Sequence, residues 1–127
     1  MRRTVDRTVL IVEPDAGTRA ELRATLEGDG YTVIATSGGD DALAIINNPR
    51  IKLVVTELYL HNRKSYCLLH AICAPPPGRR AKVLAYTRHG RGPDRAWAAA
   101  SGADGYVLKK NGAARLLEVA GKLVSSR

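Results

Sequence analysis

The sequence predicts an α/β fold in which five parallel strands form one sheet and helices cover both of its faces, a three-layer sandwich. Three observations predict it. Short runs of Val, Ile and Leu without polar alternation recur along the 127 residues, as strands buried on both faces require. A helix-type segment follows each run, so strand and helix alternate five times. The connections are short, which suits right-handed crossovers in a parallel sheet. No internal repeat, low-complexity segment or linker interrupts this alternation. One domain over residues 1–127 is therefore expected, with residues 1–7 a flexible tail.

Taken in order, Thr8-Val-Leu-Ile-Val12 is the first strand, and Glu13-Pro-Asp15 ends it. Asp15 can cap the helix that follows, in which Leu22 and Leu26 supply apolar positions until Gly28 and Gly30 stop it. Tyr31–Ala35 is the second strand. Ser37-Gly-Gly-Asp40 opens a second helix through Ala42, Leu43, Ile45 and Ile46, closed by Asn47-Asn-Pro49. The third strand, Ile51-Lys-Leu-Val-Val-Thr-Glu57, organises the chain, because an apolar central run ends abruptly in a carboxylate.

Beyond it, His61-Asn-Arg-Lys64 reads as a polar loop and Ser65 as the cap of a third helix through Leu68, Leu69 and Ile72, ended by Pro75-Pro-Pro-Gly78. Ala81–Tyr86 is the fourth strand, running into Thr87-Arg-His-Gly90. Asp94 leads an alanine-rich fourth helix that Gly102 terminates, and Gly105–Leu108 is the fifth strand. The last helix carries Leu116, Leu117, Val119, Ala120, Leu123 and Val124 as its apolar stripe.

Composition narrows the function classes. No apolar run approaches the ~18 residues of a membrane span, and the amino-terminal residues lack an apolar region of signal-peptide length. A cytoplasmic protein with no membrane contact is expected. Cys67 and Cys73 lie six apart in a predicted helix, on different faces, and read as reduced thiols. His61, His70 and His89 show no metal-ligand spacing, and no phosphate-binding glycine loop or nucleophile triad is visible. Charge is uneven: residues 1–60 carry 7 basic and 9 acidic side chains, whereas residues 61–127 carry 13 basic and 3 acidic. One surface is thus suited to something anionic, either an acidic protein face or nucleic acid.

In open α/β sheets ligands bind beyond the carboxyl ends of the strands. Those ends place Glu13 and Asp15 after strand one, Glu57 after strand three, Thr87 after strand four and Lys109 after strand five. In the strand order 2-1-3-4-5 all of them converge.

At this point the chain resembles the receiver domain of two-component response regulators, over residues 8 to 125. The resemblance rests on Leu-Ile-Val followed by Arg19 and Leu22, on Gly30-Tyr31-x-Val33, Ala42-Leu43 and Thr87, and on Gly102-Ala-Asp-Gly-Tyr106 and Lys109. It implies a flavodoxin-like (βα)5 fold. It also implies an acid pair after strand one that helps hold Mg²⁺, a phosphoacceptor Asp after strand three, a supporting Thr and Lys, and an aromatic switch residue. By position, Glu13 and Pro14 match the acid pair, Glu57 the phosphoacceptor, Thr87 the hydroxyl, Tyr106 the aromatic and Lys109 the amine.

The departures bear on one mechanism. Glu57 in place of Asp moves the carboxylate outward by one methylene, roughly 1.5 Å. In-line phosphoryl transfer is mostly positioning, and an error of about 1 Å can cost on the order of 10²-fold. Pro14 removes a carboxylate that octahedral Mg²⁺ coordination needs. Arg88 follows Thr87 where the family has a small residue, and it can pair with Glu57 or Glu13. Lys110 stands where the family has Pro.

The expected function is an atypical response regulator receiver domain in two-component signal transduction, acting as a phosphorylation-independent protein-interaction module rather than an enzyme. The resemblance places its partner surface on helix four, strand five and helix five, with Tyr106, Arg88, Trp97 and Lys110 on or beside that face and an acidic protein as partner. A sensor kinase is allowed but not required. The degenerate acidic pocket of Glu13, Asp15 and Glu57 is expected to hold Mg²⁺ at most weakly, and no other cofactor is expected. The alternatives are a working phosphoacceptor receiver in a phosphorelay and a nucleic-acid-binding module using the basic second half. The last lacks a helix-turn-helix or an aromatic stacking platform.

Overall fold

The computed structural model describes residues 7–60 and 80–125. Its elements are β1 (Thr8–Val12), α1 (Ala16–Gly28), β2 (Thr32–Thr36), α2 (Gly39–Ile45), β3 (Ile51–Thr56), β4 (Lys82–Thr87), α3 (Gly92–Ala100), β5 (Gly105–Leu108), a 3₁₀ turn (Lys109–Asn111) and α4 (Gly112–Ser125). The strands form one sheet in the order β2-β1-β3-β4-β5, and each adjacent pair is parallel. This is the flavodoxin-like arrangement that the alternation of elements predicts. Helices α3 and α4 are the fourth and fifth of the sequence scheme. The polar loop from His61, the helix capped by Ser65, Cys67, Cys73, His70, Pro75–Gly78 and most of the amino-terminal tail lie outside the described residues. Among the described residues no helix is long and apolar enough to cross a membrane.

Period-2 alternation along the strands builds two cores, because successive side chains leave opposite faces of a sheet. Leu10, Val12, Val54, Val83 and Ala85 enter one core, closed by Ala42 of α2 and Ala98 of α3. Val9, Ile11, Leu53, Val55, Leu84 and Val107 enter the other, closed by Leu22 and Leu26 of α1 and by Leu116 and Ala120 of α4. The strands carry no polar alternation because both of their faces are covered. In β3 only Lys52 is exposed.

Element ends depart from the sequence scheme for local reasons. Asp15 caps α1 as expected, accepting from Thr18 N at 2.8 Å and Thr18 Oγ1 at 2.7 Å. Tyr31 N donates to Leu26 O at 3.1 Å, so Tyr31 belongs to the turn that closes α1 and β2 begins one residue later. Gly30 in that turn has φ +96°, a region L side chains avoid. Helix α2 starts at Gly39 rather than at Ser37, because Gly38 is its cap and makes no side-chain bond. Helix α3 starts at Gly92 rather than Asp94. Pro93 supplies a pre-set helical φ in the first turn, which puts Asp94 inside the helix. Asp104 ties β4 to the turn before β5, its Oδ2 accepting from Val83 N at 2.8 Å and meeting Arg80 Nη1 at 2.9 Å.

Leu53 is fully buried in the central strand. Leu53→Ala is expected to cost about 2–5 kcal/mol of stability by removing contacts and leaving a cavity. The urea unfolding midpoint, measured at unchanged m-value, checks it.

Candidate functional site

The sheet ladder runs one residue past two strand ends. Glu13 N donates to Thr36 O and Glu57 N to Val12 O, each at 3.0 Å. Both glutamates therefore leave from backbone that the sheet holds in place. Thr87 ends β4 opposite Leu108 in the register, so Lys109 follows directly beyond the edge of β5. Four neighbouring strands thus deliver Glu13, Glu57, Thr87 and Lys109 to one carboxyl edge.

There Lys109 Nζ sits between the two glutamates, 2.7 Å from Glu13 Oε1 and 2.9 Å from Glu57 Oε1. The remaining carboxylate oxygens are also occupied. Glu13 Oε2 accepts from Asp15 N at 3.1 Å. Glu57 Oε2 accepts from Leu58 N at 2.6 Å and, more loosely, from Tyr59 N at 3.4 Å. The three side chains are shielded from water: Glu13 is 3% exposed, Glu57 10% and Lys109 14%. Burial by itself would lower the Lys109 pKa, but its hydrogen bonds and ion pairs with Glu13 and Glu57 outweigh that and raise it above the ordinary value. A buried ion pair is strongly destabilising when one partner is removed, because the other charge is left uncompensated.

The other predicted site residues are distributed around this centre. Asp15 is turned to the amino terminus of α1, where hydrogen bonds from the Thr18 backbone and hydroxyl hold its pKa below the usual carboxylate value. Glu13, Asp15 and Glu57 consequently do not form a three-carboxylate cluster. Thr87 is fully buried, and its hydroxyl accepts from His89 N at 3.3 Å. Among the described residues Arg88 makes no ion pair with either glutamate. It is exposed and borders an open cleft of about 380 Å³ above them, together with Pro14, Tyr59 and His89. Trp97 is partly buried against the core that α2 and α3 cover. Lys110 is exposed.

Tyr59, His89 and Asp94 form a network that the sequence reading missed as a site. Tyr59, 54% exposed, lies two residues beyond Glu57. Its hydroxyl donates to the carboxylate of Asp94, and its ring meets the His89 ring edge-on at 4.4 Å between centroids. That bond holds the Asp94 pKa below its ordinary value, against the effect of burial. The Tyr106 hydroxyl donates to His89 O, and Arg95 stacks over the Tyr106 ring at 4.6 Å. The cleft mouth is thereby joined to the α3–β5 face. The available signal was positional: Tyr59 and His89 each lie two residues past a strand-end site residue.

The receiver resemblance implies Mg²⁺, and the residues present do not fit it. Octahedral Mg²⁺ needs close oxygen ligands at about 2.0–2.1 Å. Pro14 offers no side-chain oxygen, Asp15 is committed to its cap, and every oxygen of Glu13 and Glu57 already has a donor within the protein. Among the described residues no three His, Cys, Asp or Glu side chains are arranged to hold a metal ion.

The family described as response regulator receiver domain matches residues 9–120. Transcriptional regulatory protein GlrR of Escherichia coli (strain K12) is 28% identical over 101 residues, which cover 80% of this chain and 22% of that protein. Among solved structures, a response regulator from Thermotoga maritima is similar with a TM-score of 0.80 and 26% identity, over 94% of this chain and 98% of that one. The receiver domain of a sensor histidine kinase from Pseudomonas aeruginosa PAO1, solved with a magnesium ion in its active-site cleft, gives a TM-score of 0.84 at 23% identity. Its match covers 94% of this chain and 98% of that one.

Because the Lys109 pKa is raised on folding, the folded state holds this proton more tightly than the unfolded chain. The contribution is whole below the ordinary value of 10.5 and is lost as pH rises through the folded value. The difference in urea midpoint between the natural chain and Lys109→Met should be constant from about pH 7 to 9 and shrink above about pH 10.5.

Proposed function

The chain belongs to the response regulator receiver domain family, and from that premise we propose that it works in two-component signal transduction as a phosphorylation-independent interaction module. The observation that carries this reading is the Lys109 ammonium seated between Glu13 and Glu57. Phosphorylation of a receiver would add about −1.5 to −2 charge at the position Glu57 occupies. Here a fixed carboxylate already engages the amine, with no donor, metal or turnover. Arg88 beside the cleft and Tyr59 at its mouth further narrow the approach to Glu57.

The partner surface in this reading is formed by α3, β5 and α4. Arg91, Arg95 and Lys110 are exposed there, and Tyr106 lies half-buried under Arg95. A surface of that charge suits an acidic protein face. Trp97 contributes mainly from beneath, as packing for α3. The site of action is the cytoplasm, and a sensor kinase is not required.

The competing reading is a receiver that phosphorylates a relocated acceptor. Incubation of the intact chain with a small phosphodonor and Mg²⁺, followed by intact mass measurement, separates the two. No mass gain is expected. A gain of one phosphoryl group that disappears in Glu57→Gln would defeat the phosphorylation-independent reading.

A further inference from the structure

We infer that the cavity between α1 and α4 binds a small organic cation, of the class of a short-chain alkylammonium. The inference goes beyond the reading above and does not depend on it. The cavity holds about 180 Å³ and is separate from the carboxyl-edge cleft, with Lys109 the one described residue that lines both. Glu21 and Leu22 lie four and three residues before Thr25, which sets all three on the face of α1 that lines the cavity. Tyr86 of β4 joins them. The room exists because α4 presents Gly112 and Ala113 where larger side chains would close it, and a Cβ at Gly112 would meet nothing within 4 Å.

The polar groups of this lining lack partners. Among the described residues Glu21 makes no hydrogen bond or ion pair, and the hydroxyls of Thr25 and Tyr86 make no hydrogen bond. Their neighbours on α1 differ, since Glu27 pairs with Arg23 and the Thr18 hydroxyl donates to Asp15. Burial raises the Tyr86 pKa, so at neutral pH its hydroxyl is uncharged and both donates and accepts. Which charges are already engaged decides the sign of the ligand. Lys109, the one cation among the described lining residues, is held by Glu13 and Glu57, and those three side chains together carry one negative charge. Glu21 adds a second. A chain of net charge +8 therefore has a locally negative cavity here. A carboxylate and two hydroxyl oxygens can accept from an ammonium, while the buried side chains of Leu22 and Leu116 receive a short alkyl stem. The volume lies below the roughly 300 Å³ at which pockets for drug-sized ligands begin, which selects a short stem.

The test is an amide proton–nitrogen titration of the full chain at neutral pH and constant ionic strength. The probe is n-butylammonium chloride up to about 20 mM, with n-butanol and sodium butyrate as neutral and anionic controls, because a ligand of so few atoms is expected to bind with a Kd on the order of mM. Butylammonium should give saturable shifts at Glu21, Leu22, Thr25, Gly112 and Ala113, butanol weaker ones and butyrate none. Glu21→Gln should weaken binding about two- to fivefold, the range of a solvent-exposed ion pair. Glu27→Gln, which removes an acid of the same helix outside the cavity, should bind as the natural chain does. Ala113→Leu should fill the space and remove the shifts.

The inference is overturned by the lack of a saturable shift at these amides, by butanol or butyrate binding as well as butylammonium, or by undiminished binding in Glu21→Gln or in folded Ala113→Leu. Shifts spread over exposed acids elsewhere would mark diffuse attraction of a cation and overturn it too. If circular dichroism shows Ala113→Leu unfolded, Tyr86→Phe takes its place: weaker binding supports the inference and unchanged binding overturns it.

Discussion

One ammonium shared between two buried carboxylates constrains everything the carboxyl edge of this sheet can do. Lys109 does not stand alone on the surface. It completes a charge arrangement that would be intolerable without it, since Glu13 and Glu57 are both nearly buried and launched toward the same point. Each carboxylate oxygen already accepts from a donor within the protein, and the ammonium between them is engaged by both acids. In the proposed reading this arrangement supplies a standing charge distribution at the carboxyl edge of the sheet.

The frame that makes this possible is the doubly covered sheet. A parallel strand buried on both faces has little freedom to slide, because a one-residue slip would exchange its two cores. Register therefore fixes the residues that follow each strand as firmly as those within it. Glu13 and Glu57 continue the ladder by one hydrogen bond each, and this positions side chains that lie formally in loops. Arg88 shows the contrast. It follows Thr87, fully buried at the end of β4, but stands exposed at the cleft rim.

From the cleft, contact passes outward through aromatic residues rather than through Thr87. Tyr59 holds Asp94 in the first turn of α3 and rests against His89, and the carbonyl of His89 receives the Tyr106 hydroxyl beneath Arg95. The position of α3 is thus tied to the residue two places beyond Glu57. The Tyr106 surface is continuous with the cleft through these contacts.

The sequence by itself determined the strands, their order and the residues at their ends. Those depend on patterns that local chemistry imposes: unbroken β-branched runs, caps such as Asp15, and stops such as Gly30 and Gly102. It also determined that position 57 carries a carboxyl group one methylene longer than that of Asp and that position 14 offers no side-chain oxygen to a metal, since both follow from residue type alone. Tertiary structure decided how the charges pair. Lys109 and not Arg88 reaches the glutamates, Asp15 turns away to α1, Tyr59 finds Asp94 thirty-five positions along the chain, and Trp97 packs inward. Each of these outcomes turns on side-chain direction across contacts distant in sequence. Periodicity carries no information about that, because direction is set by which neighbouring strand supplies the partner atom.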